Sequence, residues 1–175
     1  MSTYKIDPAH SEITFKVKHL MITNVTGNFK QFDATLEATN EDFSDAKISF
    51  EAETASISTN NEQRDEHLKG EDFFASATYP KISFVSTSFT KSSNDEYKLV
   101  GDITIRGISK SVELAVEYGG TATDPYGQVK SGFEISGKIN RKDFGLVWSA
   151  TTEAGGIVVS DEVKLNLSVQ MIKQP

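Results

Sequence analysis

The sequence contains no cysteine, which excludes disulfide bonds, thiolate catalysis and thiolate metal ligands. It also has no stretch approaching the roughly 20 apolar residues that a membrane-spanning helix needs. The N-terminal residues MSTYKIDPAHSE lack the basic and apolar regions of a secretion signal. We therefore expect a protein without an integral membrane segment, located in the cytoplasm provided that no leader has been removed from it.

Positive charge and histidine are also scarce. The chain has 18 Lys and Arg against 25 Asp and Glu, for a net charge of −7, whereas nucleic-acid binding requires a basic patch or stripe. Nucleic acid is therefore not expected as a partner. His10, His19 and His67 are the only three histidines, and none has the spacing of a metal motif such as H-x-x-x-H. The sequence predicts no metal site and no cofactor.

Alternation of apolar and polar residues with period two recurs along most of the chain. It covers eight runs separated by turn residues: 13–19, 25–36, 48–52, 82–86, 99–105, 112–118, 133–139 and 163–171. The second run changes parity near Lys30 and Gln31, which predicts a β-bulge there. Since 175 residues suit one domain, we predict an all-β protein of eight antiparallel strands in a single domain spanning residues 1–175.

Eight strands can form a sandwich or a closed barrel. Long strands joined by short hairpins favour the barrel, which has no exposed edge strands. An eight-stranded barrel is either filled by its own side chains or holds one slender ligand. Gly27, Gly101 and Gly137 fall at inward parity, where they either enlarge the interior or relieve bends in the strands. The sequence leaves both interpretations open.

Residues 59–75 interrupt the strand pattern. Thr59 followed by Glu62 forms a capping box, Gly70 can end a helix, and most residues between them favour helix formation. We therefore predict a short surface helix near residues 60–70. Its apolar content is small, so a few residues such as Leu68 must hold it against the barrel.

The stretch QRDEHLKGEDFF, residues 63–74, concentrates charged side chains of both signs. Helical spacing puts Arg64, His67 and Leu68 on one face and pairs Asp65 with Lys69. Helix stabilisation and docking of a lid would explain these charges. Alternatively, Arg64 and His67 form a phosphate clamp at the mouth of a barrel, because a guanidinium matches a phosphate in a fork. These two residues are the candidates for binding a ligand head group.

Signals for catalysis are weak. His10 and Ser11 are adjacent, so they face opposite ways in an extended chain, and the sequence has no G-x-S-x-G elbow. Most carboxylates fall at polar positions of strands or in loops, where solvated charge is the ordinary role. An enzyme that uses one of the three histidines as a general base beside a carboxylate is one alternative. A structural or interaction module with a solid barrel core is another.

Several stretches, in this order, carry a resemblance to a known family: YKIDPAHSEITFKVKHL, VTGNFKQFD, SISTNNEQRDEHLKGEDFF with YPKISFVST, YKLVGDITIRGISKSVEL and INRKDFG. They span residues 4–145, and together they are highly specific. On these stretches the chain resembles the YceI-like proteins, a polyisoprenoid-binding group with a lipocalin-like barrel. The resemblance implies an antiparallel barrel whose apolar interior holds a long isoprenoid chain, and it implies no established catalytic residue.

We therefore expect a non-catalytic lipid-binding protein with an eight-stranded lipocalin-like barrel. Its ligand would be a polyprenyl phosphate or an isoprenoid quinone, held for storage, transport or stress-related handling. The alternative is a barrel enzyme acting on a small amphipathic or isoprenoid substrate. Whether the protein forms a homodimer stays open. The expected ligand contacts are residues at the inward parity of the strands: Ile13, Phe15, Val17, His19, Phe29, Phe50, Ile82, Phe84, Ile103, Leu114, Ile135, Gly137 and Leu165.

Overall fold

β-Strands make up most of the regular structure in the computed structural model of the protein, which describes residues 1–150 and 158–175. The strands are β1 Ser2–Ile6, β2 Glu12–His19, β3 Thr23–Phe29, β4 Phe32–Ala38, β5 Lys47–Glu53, β6 Ile57–Ser58, β7 Lys81–Lys91, β8 Glu96–Ile105, β9 Ile108–Thr123, β10 Val129–Asn140 and β11 Val159–Lys173. One α-helix, α1 Glu62–Lys69, lies between β6 and β7.

The strands form a closed antiparallel barrel. Eight of them follow the order β1-β4-β5-β7-β8-β9-β10-β11, and β1 closes the ring by pairing with β11. This confirms the predicted eight-stranded antiparallel barrel. The remaining strands extend one end of it, because β2 also pairs with β11, β3 pairs with β2, and β6 pairs with β3.

Three interruptions divide the long strands into shorter segments. A turn at Pro8–His10 separates β1 from β2, and another at Thr54–Ser56 separates β5 from β6. Between β3 and β4, Lys30 and Gln31 leave the ladder where the parity changes, so the run is divided into two strands with different partners and does not carry the predicted β-bulge. Their main chains are bonded instead to neighbouring segments, with Lys30 N donating to Ser56 O at 3.2 Å. At this interruption, hydrogen bonds to a neighbouring segment replace part of the ladder.

The pairing of β3 with β6 is very short. Only two register pairs join them, Asn28 with Ser58 and Phe29 with Ile57. By contrast, seven pairs join β2 to β3, so these two strands form a firm hairpin. The β2–β3 hairpin is thus held to the barrel mainly along β2.

The helix begins two residues later than the sequence predicts. Asn61 is its N-cap, and the Asn61 side chain accepts a hydrogen bond from Arg64 N at 3.0 Å. The predicted N-cap, Thr59, is wrong because its hydroxyl donates instead to Asp65 Oδ1 at 2.6 Å. The predicted end at Gly70 is confirmed.

The expected pairing of Asp65 with Lys69 is also wrong. Asp65 Oδ1 accepts from both the main-chain N and the hydroxyl of Thr59, at 2.8 and 2.6 Å. Lys69 lies 3.3 Å from Glu66 instead. Asp65 therefore anchors the strand that precedes the helix rather than stabilising the helix surface.

Aromatic side chains close one end of the barrel. Phe43, in the loop of residues 39–46 between β4 and β5, is 3% exposed. Its ring centroid lies 5.4 Å from Tyr4, 5.6 Å from Tyr118 and 5.4 Å from Phe133. We call these four residues the floor of the barrel. The main chain at Phe43 has a φ of +60°, a conformation that non-glycine residues rarely adopt.

Three glycines of the wall lie beneath bulky side chains of neighbouring strands. A Cβ atom at any of the three positions would overlap the covering side chain. The pairs are Gly27 with Phe15, Gly101 with Phe84, and Gly137 with Leu114. The glycines thus allow a close approach of large inward side chains, and the volume they release is filled by those side chains.

Candidate functional site

A cavity of about 410 Å³ runs through the barrel interior. Forty-two of the described residues line it. All but six of them have aliphatic or aromatic hydrophobic side chains. The exceptions are Lys18, His19, Thr59, Arg64, His67 and Arg141. No Asp or Glu of the described ranges lines the cavity. An interior of this composition suits a hydrocarbon ligand.

The cavity is long relative to its volume. Val159 and Met171 both line it, and they lie near opposite ends of β11. Their separation corresponds to about 40 Å along the strand, or about 30 Å along the barrel axis for a strand tilted by roughly 40°. The space is therefore shaped for an extended chain rather than for a compact molecule.

Twelve of the thirteen expected ligand contacts line this cavity. They are Ile13, Phe15, Val17, His19, Phe29, Phe50, Ile82, Phe84, Ile103, Leu114, Ile135 and Leu165. Gly137 is the exception, because Leu114 covers it. The head-group candidates Arg64 and His67 also border the cavity.

Sequence reasoning missed two groups of lining residues. The first group, deep in the barrel, includes Phe89, Leu99, Val116 and Phe133. Members of this group that fall at the inward parity of a predicted strand could have been identified from the alternation of apolar and polar residues. The second group, which includes Trp148, lies in segments that carry no such periodic signal.

The mouth of the cavity lies at the end opposite the floor. It is bordered by the end of β2, by helix α1 and by residues 144–148, which follow the short 3₁₀ helix Arg141–Phe144. The helix packs there through the ring of His67, whose centroid lies 5.1 Å from Phe73 and 5.0 Å from Trp148. Aromatic contacts thus join the helix to the loop across the opening.

Arg141 is a buried cation at this mouth, with 4% of its surface exposed. Its Nε donates to Ser160 O at 2.9 Å, and its Nη1 donates to Leu146 O at 2.6 Å and to Trp148 O at 2.7 Å. Burial lowers the pKa of the Arg141 guanidinium, and the charge of Asp161 partly opposes that change. Arginine nevertheless remains charged at neutral pH. Through these hydrogen bonds, Arg141 fixes residues 146–148 to β11.

Arg64 is also held firmly at the mouth. Its Nε donates to Thr59 Oγ1 at 2.8 Å and its Nη2 donates to Thr59 O at 2.7 Å. Because Asp65 holds the same threonine, the helix start and the end of β6 form one hydrogen-bonded unit. The guanidinium is therefore held in one orientation at the mouth.

Two of the histidines lie beside carboxylates, but neither carboxylate reaches the cavity. His67 Nε2 lies 2.8 Å from Asp72 Oδ2, and His10 Nδ1 lies 2.8 Å from Asp7 Oδ2. Neither aspartate lines the cavity, and His10 does not line it either. His19 borders the cavity from the end of β2.

Over residues 1–150 and 158–175, no group of three or more His, Cys, Asp or Glu side chains is arranged to hold a metal ion. No helix in the same part of the chain is long and apolar enough to cross a membrane.

Comparison with known sequences gives a match over nearly the whole chain. The model of a family described as the YceI-like domain matches residues 4–171. A UPF0312 protein of Staphylococcus aureus strain MSSA476 is 38% identical over 171 residues, which cover 97% of each chain.

Comparison with solved structures gives the same architecture. A YceI protein of Campylobacter jejuni is 35% identical, with a TM-score of 0.78 and 90% of each chain covered. BcnA of Burkholderia cenocepacia is 22% identical, with a TM-score of 0.82 over 94% of this chain and 98% of that one. A polyisoprenoid binding domain of Saccharophagus degradans, implicated in plant cell wall breakdown, is 13% identical with a TM-score of 0.71 over 98% of each chain. The last two show similarity of fold alone.

Proposed function

Because the chain belongs to the YceI-like family, whose model matches residues 4–171, we propose that it is a non-catalytic lipid-binding protein that holds a polyisoprenoid chain inside its barrel. The observation that carries this proposal is the long cavity with an almost entirely apolar lining. Each CH₂ group moved from water into such a lining gains about 0.8 kcal/mol before ordering costs are subtracted. A long chain therefore supplies substantial affinity without a polar anchor.

The shape of the cavity favours a slender and extended chain. The floor closes one end, so the tail would enter first and the head group would stay near the mouth. A polyprenyl phosphate or an isoprenoid quinone has this layout of long tail and polar head. The S. degradans neighbour, a polyisoprenoid binding domain, has the same fold.

Arg64 and His67 are the proposed contacts of the head group. Both border the mouth, and the guanidinium of Arg64 can match a phosphate in a fork. Asp72 beside His67 offsets positive charge there, so Arg64 would contribute more to binding an anionic head than His67 does. Comparing Arg64→Gln with His67→Gln, using a polyprenyl phosphate and the matching neutral alcohol, tests this order.

The ligand is identified directly by extracting purified protein with organic solvent and analysing the extract by mass spectrometry. We expect a co-purified isoprenoid lipid or, for delipidated protein, uptake of an added polyprenol. Trp148 is the only tryptophan and lies at the mouth, so its fluorescence can follow uptake. A folded protein that neither carries nor takes up such lipid would contradict the proposal.

A matched pair of variants assigns uptake to the cavity. Ile135 lines it, whereas the next residue of β10, Ser136, is exposed and does not. Ile135→Trp should remain folded by circular dichroism but lose most uptake, because the larger ring fills space that the chain needs. Ser136→Trp should take up lipid like the wild type. Equal uptake by both variants would place the lipid elsewhere.

The proposed role is storage, transport or stress-related handling of such a lipid in the cytoplasm. A barrel that encloses the tail keeps it out of water in any of these roles. Transfer between donor and acceptor vesicles separates delivery from storage. Delivery would speed transfer, whereas storage would lower the free lipid without speeding it.

A barrel enzyme is the alternative, and the pairing of His67 with Asp72 at 2.8 Å is the observation in its favour. Asp72 lies outside the cavity, which weakens this case. A hydrolase and isomerase screen of purified protein tests it. An activity that disappears in His67→Ala but persists in His10→Ala would support the enzyme, because His10 does not border the cavity.

A further inference from the structure

The turn between β2 and β3 exposes three consecutive apolar side chains. Leu20, Met21 and Ile22 are 38%, 56% and 75% exposed, and we call them the hairpin tip. Leu20 and Met21 have φ values of +53° and +60°, a conformation for which turns normally use Gly, Asn or Asp. Apolar residues in a strained, solvent-exposed turn stabilise neither the core nor the turn, which indicates a role in contact with something else.

The hairpin tip lies beside the mouth of the cavity. Val17 and His19, which lead into the tip, both line the cavity. Leu20 N donates to Val158 O at 2.8 Å, and Val158 is another lining residue. On the mouth loop, Val147 is 59% exposed. An apolar surface therefore borders the opening through which a ligand would pass.

Basic side chains flank this apolar surface on the side formed by β2, β11 and β10. Residues 13–32 contain three lysines and no carboxylate, in a chain whose net charge is −7. On the outer wall, Lys16 lies opposite Lys164, and Lys164 lies opposite Lys138. We call these three the lysine row. Within the described parts of the chain, Lys138 alone of the row has a carboxylate partner, Glu162 at 3.3 Å.

Like charges placed opposite one another in a ladder destabilise it unless an anion compensates them. An apolar tip with basic flanks is the combination by which proteins bind the interface of an anionic bilayer. We propose that the hairpin tip and the lysine row dock on an anionic lipid bilayer, with the mouth of the cavity facing the membrane. The inference rests on the proposed function, because it supplies the route by which a lipid tail enters without crossing water.

The small apolar area of the tip implies weak and reversible binding, as a protein that leaves the membrane with its ligand requires. The lysines add attraction only near the surface and only at low or moderate salt. A protein partner would not give access to the pool of lipid from which the proposed ligand is drawn. An anionic bilayer therefore matches both the apolar hairpin tip and the basic lysine row.

Sedimentation with vesicles tests the docking directly. The wild type should bind vesicles of phosphatidylcholine with an equal amount of phosphatidylglycerol, bind pure phosphatidylcholine vesicles less, and lose binding at high salt. The double change Met21→Ser with Ile22→Ser should lower partitioning by about tenfold, from lost apolar contact. The double change Lys16→Gln with Lys164→Gln should remove the preference for phosphatidylglycerol.

Val85→Ser combined with Tyr126→Ser is the matched control. These side chains are 59% and 90% exposed, but they lie on β7 and in the β9–β10 turn, away from the mouth. The control should bind vesicles within about twofold of the wild type, since it removes no contact with the bilayer. Equal loss in the control and the tip variant would overturn the proposal, as would no vesicle binding by the wild type.

Two further outcomes separate this inference from the proposed function. Uptake of geranylgeraniol from detergent should be unchanged in the Met21→Ser, Ile22→Ser variant, while its uptake from vesicles should be slower. Failure of every preparation to take up geranylgeraniol would remove the proposed function even if vesicle binding persisted. If the tip instead mediates self-association, sedimentation equilibrium should give the mass of an oligomer for the wild type and a lower mass only for the tip variant. That result would replace the bilayer by a second copy of the chain.

Discussion

Because Gly137 has no side chain, the side chain of Leu114 on the neighbouring strand can lie over it. Leu114 occupies the space over this glycine, and the same arrangement recurs at Gly27 and Gly101. The interior surface at these positions is therefore formed by the covering side chain. A change at such a glycine alters the cavity indirectly, by pushing its cover inward.

Gly137→Phe should lower the free energy of unfolding by roughly 1–3 kcal/mol through overpacking. It should also abolish most lipid uptake, because the new ring or the displaced Leu114 enters the cavity. Urea unfolding and polyprenol uptake on the same preparation measure both effects. Gly132→Phe is the control, since no atom lies within 4 Å of a Cβ built at that position. Undiminished uptake in folded Gly137→Phe would show that the ligand does not reach this part of the wall.

Asp7 joins the N-terminal segment to the β9–β10 hairpin. Its Oδ2 lies 2.8 Å from His10 Nδ1 and 3.2 Å from Lys130 Nζ. Burial alone would raise the pKa of this carboxyl, but the hydrogen bonds from His10 and Lys130 outweigh burial and lower it. The charged form is therefore the one that stabilises the fold.

A carboxyl whose pKa is lower in the folded state adds stability above its unfolded pKa and loses that contribution as pH falls through the folded value. Asp7→Asn should thus lower the free energy of unfolding by about 1–3 kcal/mol at neutral pH. The difference from the wild type should shrink as pH falls below about 4. Urea unfolding at several pH values measures it, with the exposed Asp102→Asn as control. A difference that grows on acidification would contradict the assignment.

Among the larger elements, the loop of residues 39–46 supports the closed end of the cavity from behind. Asp45 holds its start by accepting hydrogen bonds from Thr39 N and Asn40 N, both at 2.9 Å. This support lets Phe43 adopt its left-handed conformation and insert into the floor against Phe133, which lines the cavity. Under the proposed function, the loop would act as a stop for the ligand tail.

Phe43→Leu should extend the cavity and shift preference toward longer chains. We expect a loss of roughly 1–3 kcal/mol in stability from the space created. In competition, the ratio of bound solanesol to bound geranylgeraniol should rise relative to the wild type. Phe32→Leu is the control, because Phe32 is half-buried but lies outside the floor. An unchanged ratio would mean that the tail stops short of the floor.

The sequence predicts the strand faces well, because alternation alone assigns inward positions such as Phe15, Phe84 and Ile135. It does not predict the mouth. Arg141 lies there because it donates hydrogen bonds to main-chain carbonyls, and Trp148 lies there because it contacts a helix that is distant in sequence. The hydropathy pattern does not report such contacts. The spacing of Thr59 to Glu62 predicts a helix cap, whereas the hydrogen bond from Thr59 to Asp65 depends on the local fold and not on that spacing.

Closure of the barrel depends on β1. This strand of five residues bridges β4 and β11. Removing residues 1–6 would expose the hydrogen-bonding edges of both neighbours, which are templates for pairing with other chains. We expect the truncated protein to aggregate and to lose lipid uptake, as measured by light scattering and size-exclusion chromatography. A variant lacking Pro175 alone should behave like the wild type, and a monomeric, lipid-binding truncation would contradict this view of closure.

The short ladder between β3 and β6 bears on how fast the proposed lipid ligand could enter and leave the barrel. Two register pairs hold that side of the β2–β3 hairpin, whereas β10 and β11 are joined by eleven. Local opening is least costly where the fewest contacts must break, so the hairpin can swing outward while the ring of eight strands stays intact. If the proposed lipid leaves through this opening, its dissociation rate constant should be set by the β3–β6 ladder and be independent of the rate constant for global unfolding. Stability and turnover of cargo can consequently change separately in this fold.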